Sequence, residues 1–199
     1  MATMDVYGYN LNGGQMSSAA IWINNDERDW KQDLDAITVG WLVFPSHFKD
    51  SQTHLFTHWT RDDGRSTGCL NMDCPGFQLV SGSTVTPGDI IKPVSDVNGV
   101  HQNITIKLFK DKSSGDWLLH YGFNSAPAVV GHFPASLFDS LSKKATDIMF
   151  GAMSAMRRGF HLLQWAVEHS HRIRPRHFGI FNSSMRTGTA SRSRMICPA

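Results

Sequence analysis

From residue 18 to about residue 150, short apolar runs alternate with clusters of Gly, Pro, Asn and Asp, and no sustained 3.6-residue repeat is present. This pattern predicts an all-β domain. Strands are expected over Ser18 to Ile23, Ala36 to Val43, His54 to Thr60, Gly76 to Val80, Asn103 to Lys110, Asp116 to Gly122 and Thr146 to Phe150. Period-2 alternation puts Ile104, Ile106 and Leu108 on one face, and Trp117, Leu119, Tyr121 and Phe123 on one face of the following strand. The polar, glycine-containing link from Lys110 to Asp116 predicts that these two strands pair as a hairpin. Several half-apolar strands need a second layer to cover them, so an antiparallel β-sandwich is expected. After Pro134, Leu137, Phe138 and Leu141 fall at helical spacing, predicting one short amphipathic turn or helix over Ser136 to Lys144.

Length and composition fit this picture. The 199 residues, 41% of them apolar, suffice for one core of ordinary size. No run of about 18 apolar residues occurs, and residues 1 to 10 lack the basic-then-apolar pattern of a signal peptide. A soluble chain without a membrane partner is expected. The net charge of +2 hides an asymmetry. Residues 153–199 carry eight arginines, no lysine and one acid, Glu168, for about +7 against −5 elsewhere. Such a tail can be a nucleic-acid patch, but these arginines are irregularly spaced without interleaved aromatics, so no nucleic-acid partner is expected. Two segments follow: a sandwich domain over 1–152 and a basic tail over 153–199.

Signatures of most common enzymes are absent: no G-x-S-x-G, no H-E-x-x-H, no phosphate-cradling loop and no C-x-x-C pair. His54 and His58 invite a metal reading, yet four residues of strand span about 13 Å, too far for one ion, and both are expected at the surface or in packing. His169 and His171 could chelate only if extended, within the tail. No metal and no cofactor is expected. Cys69 lacks a local histidine signature for nucleophilic work. Cys69 and Cys74, five apart in a turn bounded by Gly and Pro, read as a disulfide, with two buried free thiols as the alternative. Asn103-Ile104-Thr105 and Asn182-Ser183-Ser184 are glycosylation sequons compatible with secretion.

The segment Trp59-Thr60, a Gly turn, then Ser66-Thr67-Gly68-Cys69-Leu70-Asn71-Met72-Asp73-Cys74-Pro75-Gly76-Phe77 resembles the neprosin-family pattern W-T, turn, T-G-C-x-N-x-x-C-x-G-F. Ala20-Ile21-Trp22 and Val39-Gly40-Trp41 precede it. Ile91, Pro93-Val94-Ser95, Asn103 to Ile106, Gly115-Asp116-Trp117 through Tyr121-Gly122, and Phe133 to Phe138 follow, so the resemblance runs colinearly from about Ala20 to Gly151. It implies a β-sandwich of two antiparallel sheets from a plant family of secreted glutamic peptidases that cut after proline, made with a signal peptide and pro-domain. A proline-containing peptide would be the substrate and the location extracellular, although the chain as given is expected to begin within or just before the catalytic domain.

That family's mechanism requires two glutamates across a cleft, one moving protons for a water and the other stabilising the developing oxyanion. One carboxyl must hold its proton near working pH. The first family glutamate lies two positions before the glycine of the A-G-W strand, where this chain has Thr38. The second precedes an aromatic-glycine pair, where Asp147-Ile148-Met149-Phe150-Gly151 places Met149. Neither residue transfers a proton as an acid would. Residues 1–152 contain one glutamate, Glu27, in a polar turn, and Asp147 would lie about 6.6 Å along the strand from Met149. The expectation is a catalytically inactive sandwich. A peptide- or glycan-binding module with cleft aromatics such as Trp59 or Tyr121, and an active peptidase with another acid pair, stand as alternatives.

The tail departs from the resemblance, which would continue with further strands and cysteines. Codons for Trp165 to Glu168 can yield Met-Gly-Ser-Gly in a neighbouring frame, and those for His177 to Ser183 can yield Arg-Asn-Ile-Gln, both strings similar to the family's. A frame change near residue 153 is therefore expected, with the last strands missing or replaced.

Overall fold

The computed structural model describes residues 1–25, 34–158 and 161–162. Two antiparallel sheets enclose one apolar core. The strands are β1 (Ala2–Asp5), β2 (Gln15–Asn25), β3 (Asp35–Val43), β4 (His54–Thr60), β5 (Cys69–Leu70), β6 (Gln78–Leu79), β7 (Asn103–Lys110), β8 (Trp117–Phe123), β9 (Ala128–Phe133), β10 (Asp147–Arg158) and β11 (His161–Leu162). A five-stranded sheet runs β1-β7-β8-β9-β6 and a six-stranded sheet runs β11-β10-β2-β3-β4-β5.

Alternation along the strands builds the core. Ile104 and Ile106 of β7 and Leu119 of β8 are fully buried, as are Ile37 and Val39 of β3, and Trp41 is 1% exposed. β7 and β8 form the expected hairpin, in register from Ile104↔Phe123 to Lys110↔Trp117. The sheets are also stitched by a hydrogen bond: Trp41 Nε1, from the six-stranded sheet, donates to the carbonyl of Asp5 in β1 at 2.8 Å.

Several elements differ from the sequence expectation, each for a tertiary reason. The turn or helix expected over Ser136 to Lys144 is a 3₁₀ turn, Ala135–Leu137, shorter than the expected span. Beyond it the backbone bonds to distant partners: the buried Asp35 carboxylate accepts the Ser140 and Leu141 N–H groups at 2.5 and 2.8 Å, and Trp117 Nε1 donates to the Leu141 carbonyl at 3.0 Å. These bonds hold Phe138 and Leu141 in the core without a helix. The strand expected over Gly76 to Val80 shrinks to Gln78–Leu79, while β10 runs to Arg158, past residue 152, because β2 continues far enough to pair with it through Met156↔Gln15. β1, β5, β9 and the short helix α1 (Pro45–Phe48) were not foreseen. The proposed frame change and replaced C-terminal strands concern residues that lie mostly outside the described ones.

Candidate functional site

The two positions where family chemistry would place its acids converge on one face. In β3, Ile37, Val39 and Trp41 enter the core, so Thr38 points to the opposite, outer face of the six-stranded sheet. Strand register then sets its neighbours. Thr38 pairs with Trp22 on one side and His58 on the other; Trp22 pairs with Met149, and His58 with Leu70. Directly opposed side chains in antiparallel strands project to the same side. Met149, Trp22, Thr38, His58 and Leu70 therefore form one row across five strands. Met149 and Thr38 are two strand spacings apart, about 10 Å at the backbone. That separation suits two long acidic side chains converging on one water.

The neighbouring row is Gly151, Ala20, Gly40 and Phe56, of which Ala20 and Phe56 belong to a small buried apolar cluster with Trp22 and Leu70 packed against it. A methyl added to Gly40 would lie 2.0 Å from the Ala19 carbonyl oxygen and 2.6 Å from Ala20 Cα, both backbone atoms that cannot yield. On the other side, Asp147, Asn24, Ala36 and Thr60 form the next row. Asp147 thus shares the face but stands two residues along β10 from Met149.

The row's chemistry is a thioether, an indole, a hydroxyl, an imidazole and an isobutyl group. Thr38 is buried, and Trp22, His58 and Met149 are half-buried. Burial holds the His58 imidazole below its ordinary pKa, so it is uncharged near neutrality. It is the one proton acceptor in the row that could act near neutral pH.

Trp59 and Tyr121, the aromatics expected to line the cleft, do not lie on this face. Trp59 pairs with Ile37 and so turns inward, edge-on to Phe138 with ring centroids 6.0 Å apart. Its indole is closed over by Gly76, where an added methyl would stand 2.1 Å from Nε1. Tyr121 is buried in the core from the five-stranded sheet; burial first, then the Asp89 charge, pushes its hydroxyl up to about 12. Trp22 and His58 take the places expected of those two. Trp22 was legible, because Ile21 and Ile23 beside it turn inward and leave it the outward position.

The motif that carries the resemblance proves to be architecture. Cys69 and Cys74 form a disulfide with Cα atoms 5.8 Å apart. Asn71, at φ 53°, accepts the Thr57 N–H on its side-chain oxygen at 3.0 Å and donates its own N–H to the Thr57 carbonyl at 2.7 Å, fastening the disulfide loop to β4. Asp62 accepts from the Thr67 N–H and hydroxyl, closing the Gly turn.

No group of three metal-ligating side chains occurs among the described residues, around His54 and His58 or elsewhere. His54 is not at the surface but 5% exposed, with Nδ1 2.7 Å from the Gly88 carbonyl and Nε2 3.0 Å from Asp50, stacked on Phe48 at 3.8 Å. Glu27, His169, His171 and Asn182 lie outside the described residues.

These features define an antiparallel β-sandwich of two sheets around an apolar core, with Met149, Trp22, Thr38, His58 and Leu70 in one row on the outer face of the six-stranded sheet. The neprosin family model matches residues 13–159, nearly three quarters of the chain, and the chain belongs to the neprosin family.

Proposed function

We propose that this chain is a catalytically inactive member of a family whose working members are glutamic endopeptidases cutting after proline. The observation that supports it is the row itself: Thr38 and Met149 stand together on the face where two carboxylates would have to meet, and neither is an acid. Loss of one positioned acid or base costs about 10² to 10⁴ in rate, and here both are replaced. Asp147 does not substitute. It sits about 7 Å along β10 from Met149, with a side chain one methylene shorter than glutamate. His58 could accept a proton but supplies no second group to stabilise an oxyanion.

A second reading is favoured by Trp22. Its half-buried indole lies between Thr38 and Met149, a flat apolar surface of the kind that peptide or glycan ligands use. On this reading the face binds a proline-containing peptide or a glycan without cleaving it. The Cys69–Cys74 bridge suits an oxidising compartment and hence an extracellular location.

The deciding experiment is cleavage of fluorogenic proline peptides from about pH 3 to about pH 7. The unmodified chain is compared with Thr38→Glu/Met149→Glu, and circular dichroism shows that both fold. No turnover by the parent and weak turnover at acid pH by the double variant is the expected result. Turnover by the parent would overturn the proposal. If both are folded and inactive, quenching of tryptophan fluorescence by proline peptides that is lost in Trp22→Ala supports the binding reading.

A further inference from the structure

We infer that Asn103 is an acceptor for an N-linked oligosaccharide, carried on the face of the sandwich opposite the Thr38 row. Asn103-Ile104-Thr105 has the residues such an acceptor requires, with isoleucine and not proline in the middle. The fold supplies the rest. Ile104 and Ile106 are fully buried in the core, so alternation directs Asn103 and Thr105 to the outer face of the five-stranded sheet.

Asn103 opens β7 at the rim of that sheet, partly exposed, opposite Asp5 of β1. Its backbone is fully engaged: its N–H donates to the Asn124 side-chain oxygen and its carbonyl accepts the Asn124 N–H, each at 2.9 Å. Its carboxamide has no hydrogen bond among the described residues, so the fold loses nothing when that group is derivatised. The surrounding rim of Asp5, His101, Gln102 and Asn124 is polar, with His101 bonded to Asp5 at 3.0 Å and Asn124 Nδ2 to Gln102 at 2.6 Å. A hydrated sugar there displaces no apolar contact.

The Thr105 hydroxyl is within 2.9 Å of the Thr3 hydroxyl, across the β1–β7 pair. The sequon hydroxyl is therefore occupied once β1 has paired, and transfer precedes that pairing. In the transfer, Asn103 Nδ2 forms a bond to the anomeric carbon of a lipid-pyrophosphate-linked oligosaccharide. The carbon–oxygen bond to the pyrophosphate breaks, the lipid pyrophosphate leaves with the electron pair, and the amide nitrogen gives up one proton to a base.

Placement has two consequences. The glycan leaves the Thr38 row uncovered, since the two outer faces look in opposite directions. It also shields β1, an edge strand of the sheet, from pairing with a second chain.

The test is translation of the full chain, preceded by an added secretory leader, in the presence of microsomes. The Asn182→Gln background removes the other sequon, and resistance to added protease identifies translocated chains. A single mobility shift, reversed by peptide N-glycosidase, is expected; it is lost in Asn103→Gln and Thr105→Ala and kept in Thr105→Ser. Translocated Asn182→Gln chains without a glycan, or a shift that survives Asn103→Gln, would overturn the assignment. The glycosylated chain is expected to match the thermal midpoint of the unglycosylated chain, and a large loss of stability would equally refute accommodation by the fold.

Discussion

Thr38 and Met149 face the same side of one sheet on either side of Trp22, although 110 positions separate them in the chain. This geometry supports reading them as the remains of one site. It also leaves His58, on the far side of Thr38, as the row's only titratable group near neutrality.

His58 should make stability fall on mild acidification. Its folded-state pKa lies below the ordinary 6.5 because burial disfavours the charged ring. The unfolded chain then takes up a proton that the folded chain refuses, so the stability is fully present above about pH 6.5 and is lost as pH falls toward the folded value. Urea midpoints should drop between about pH 7.5 and about pH 5 in the parent, and drop less in His58→Gln. An equal drop in both chains would assign the effect elsewhere.

Asp35 has the opposite sign. Burial raises its pKa above 3.8, an effect opposed by the Leu141 and Ser140 N–H bonds, and Oδ1 has no partner. The stability attached to its protonated form is present below about 3.8 and is lost as pH rises through the folded value. Asp35→Asn keeps an acceptor for both N–H groups without the buried charge. It should match or exceed the parent in stability at neutral pH, and that advantage should shrink as acid is added. A variant uniformly weaker at all pH values would show that the charge-assisted bonds outweigh desolvation.

Trp41 joins the two sheets through packing and through its bond to Asp5. Trp41→Ala should cost about 3–5 kcal/mol in chemical denaturation. Trp41→Phe keeps most of the volume but leaves the Asp5 carbonyl without that donor, and should cost about 1–3 kcal/mol. Equal losses would mean that the hydrogen bond dominates.

The Cys69–Cys74 bridge closes a short loop, so its entropic worth is small, about 2 kcal/mol. Cys69→Ser/Cys74→Ser should lower the thermal midpoint modestly and leave the core intact. Faster hydrogen exchange should be confined to the disulfide loop, beginning with the Asn71 amide that bonds Thr57. Global loss of protection would make the bridge a requirement of folding and refute this estimate.

Much of the fold was readable from local pattern. Alternation located β4 and β7 to the residue and gave the inward faces of β7 and β8, because a half-buried strand must repeat every two residues. Helical spacing at Leu137, Phe138 and Leu141 marked a turn or helix of which only a 3₁₀ turn forms, since the Leu141 backbone bonds instead to Asp35 and Trp117, far away in sequence. The short strands β5 and β6 were invisible or overdrawn for a similar reason. Two residues of pairing are fixed by the neighbouring strand, and their own propensities decide little.

The sequence by itself determined the family motif, the cysteine pair and the identity of Thr38 and Met149 at the positions where the resemblance would place acids, all properties of residues close in the chain. Only the tertiary structure decided that Met149 and Thr38 share a row, that Trp22 and His58 flank Thr38, and that Trp59 and Tyr121 turn away from that row toward the core. The physical reason is register. A slip of one residue between β10 and β2 would send every β10 side chain to the other face, and that choice is made by apolar burial across the whole sandwich.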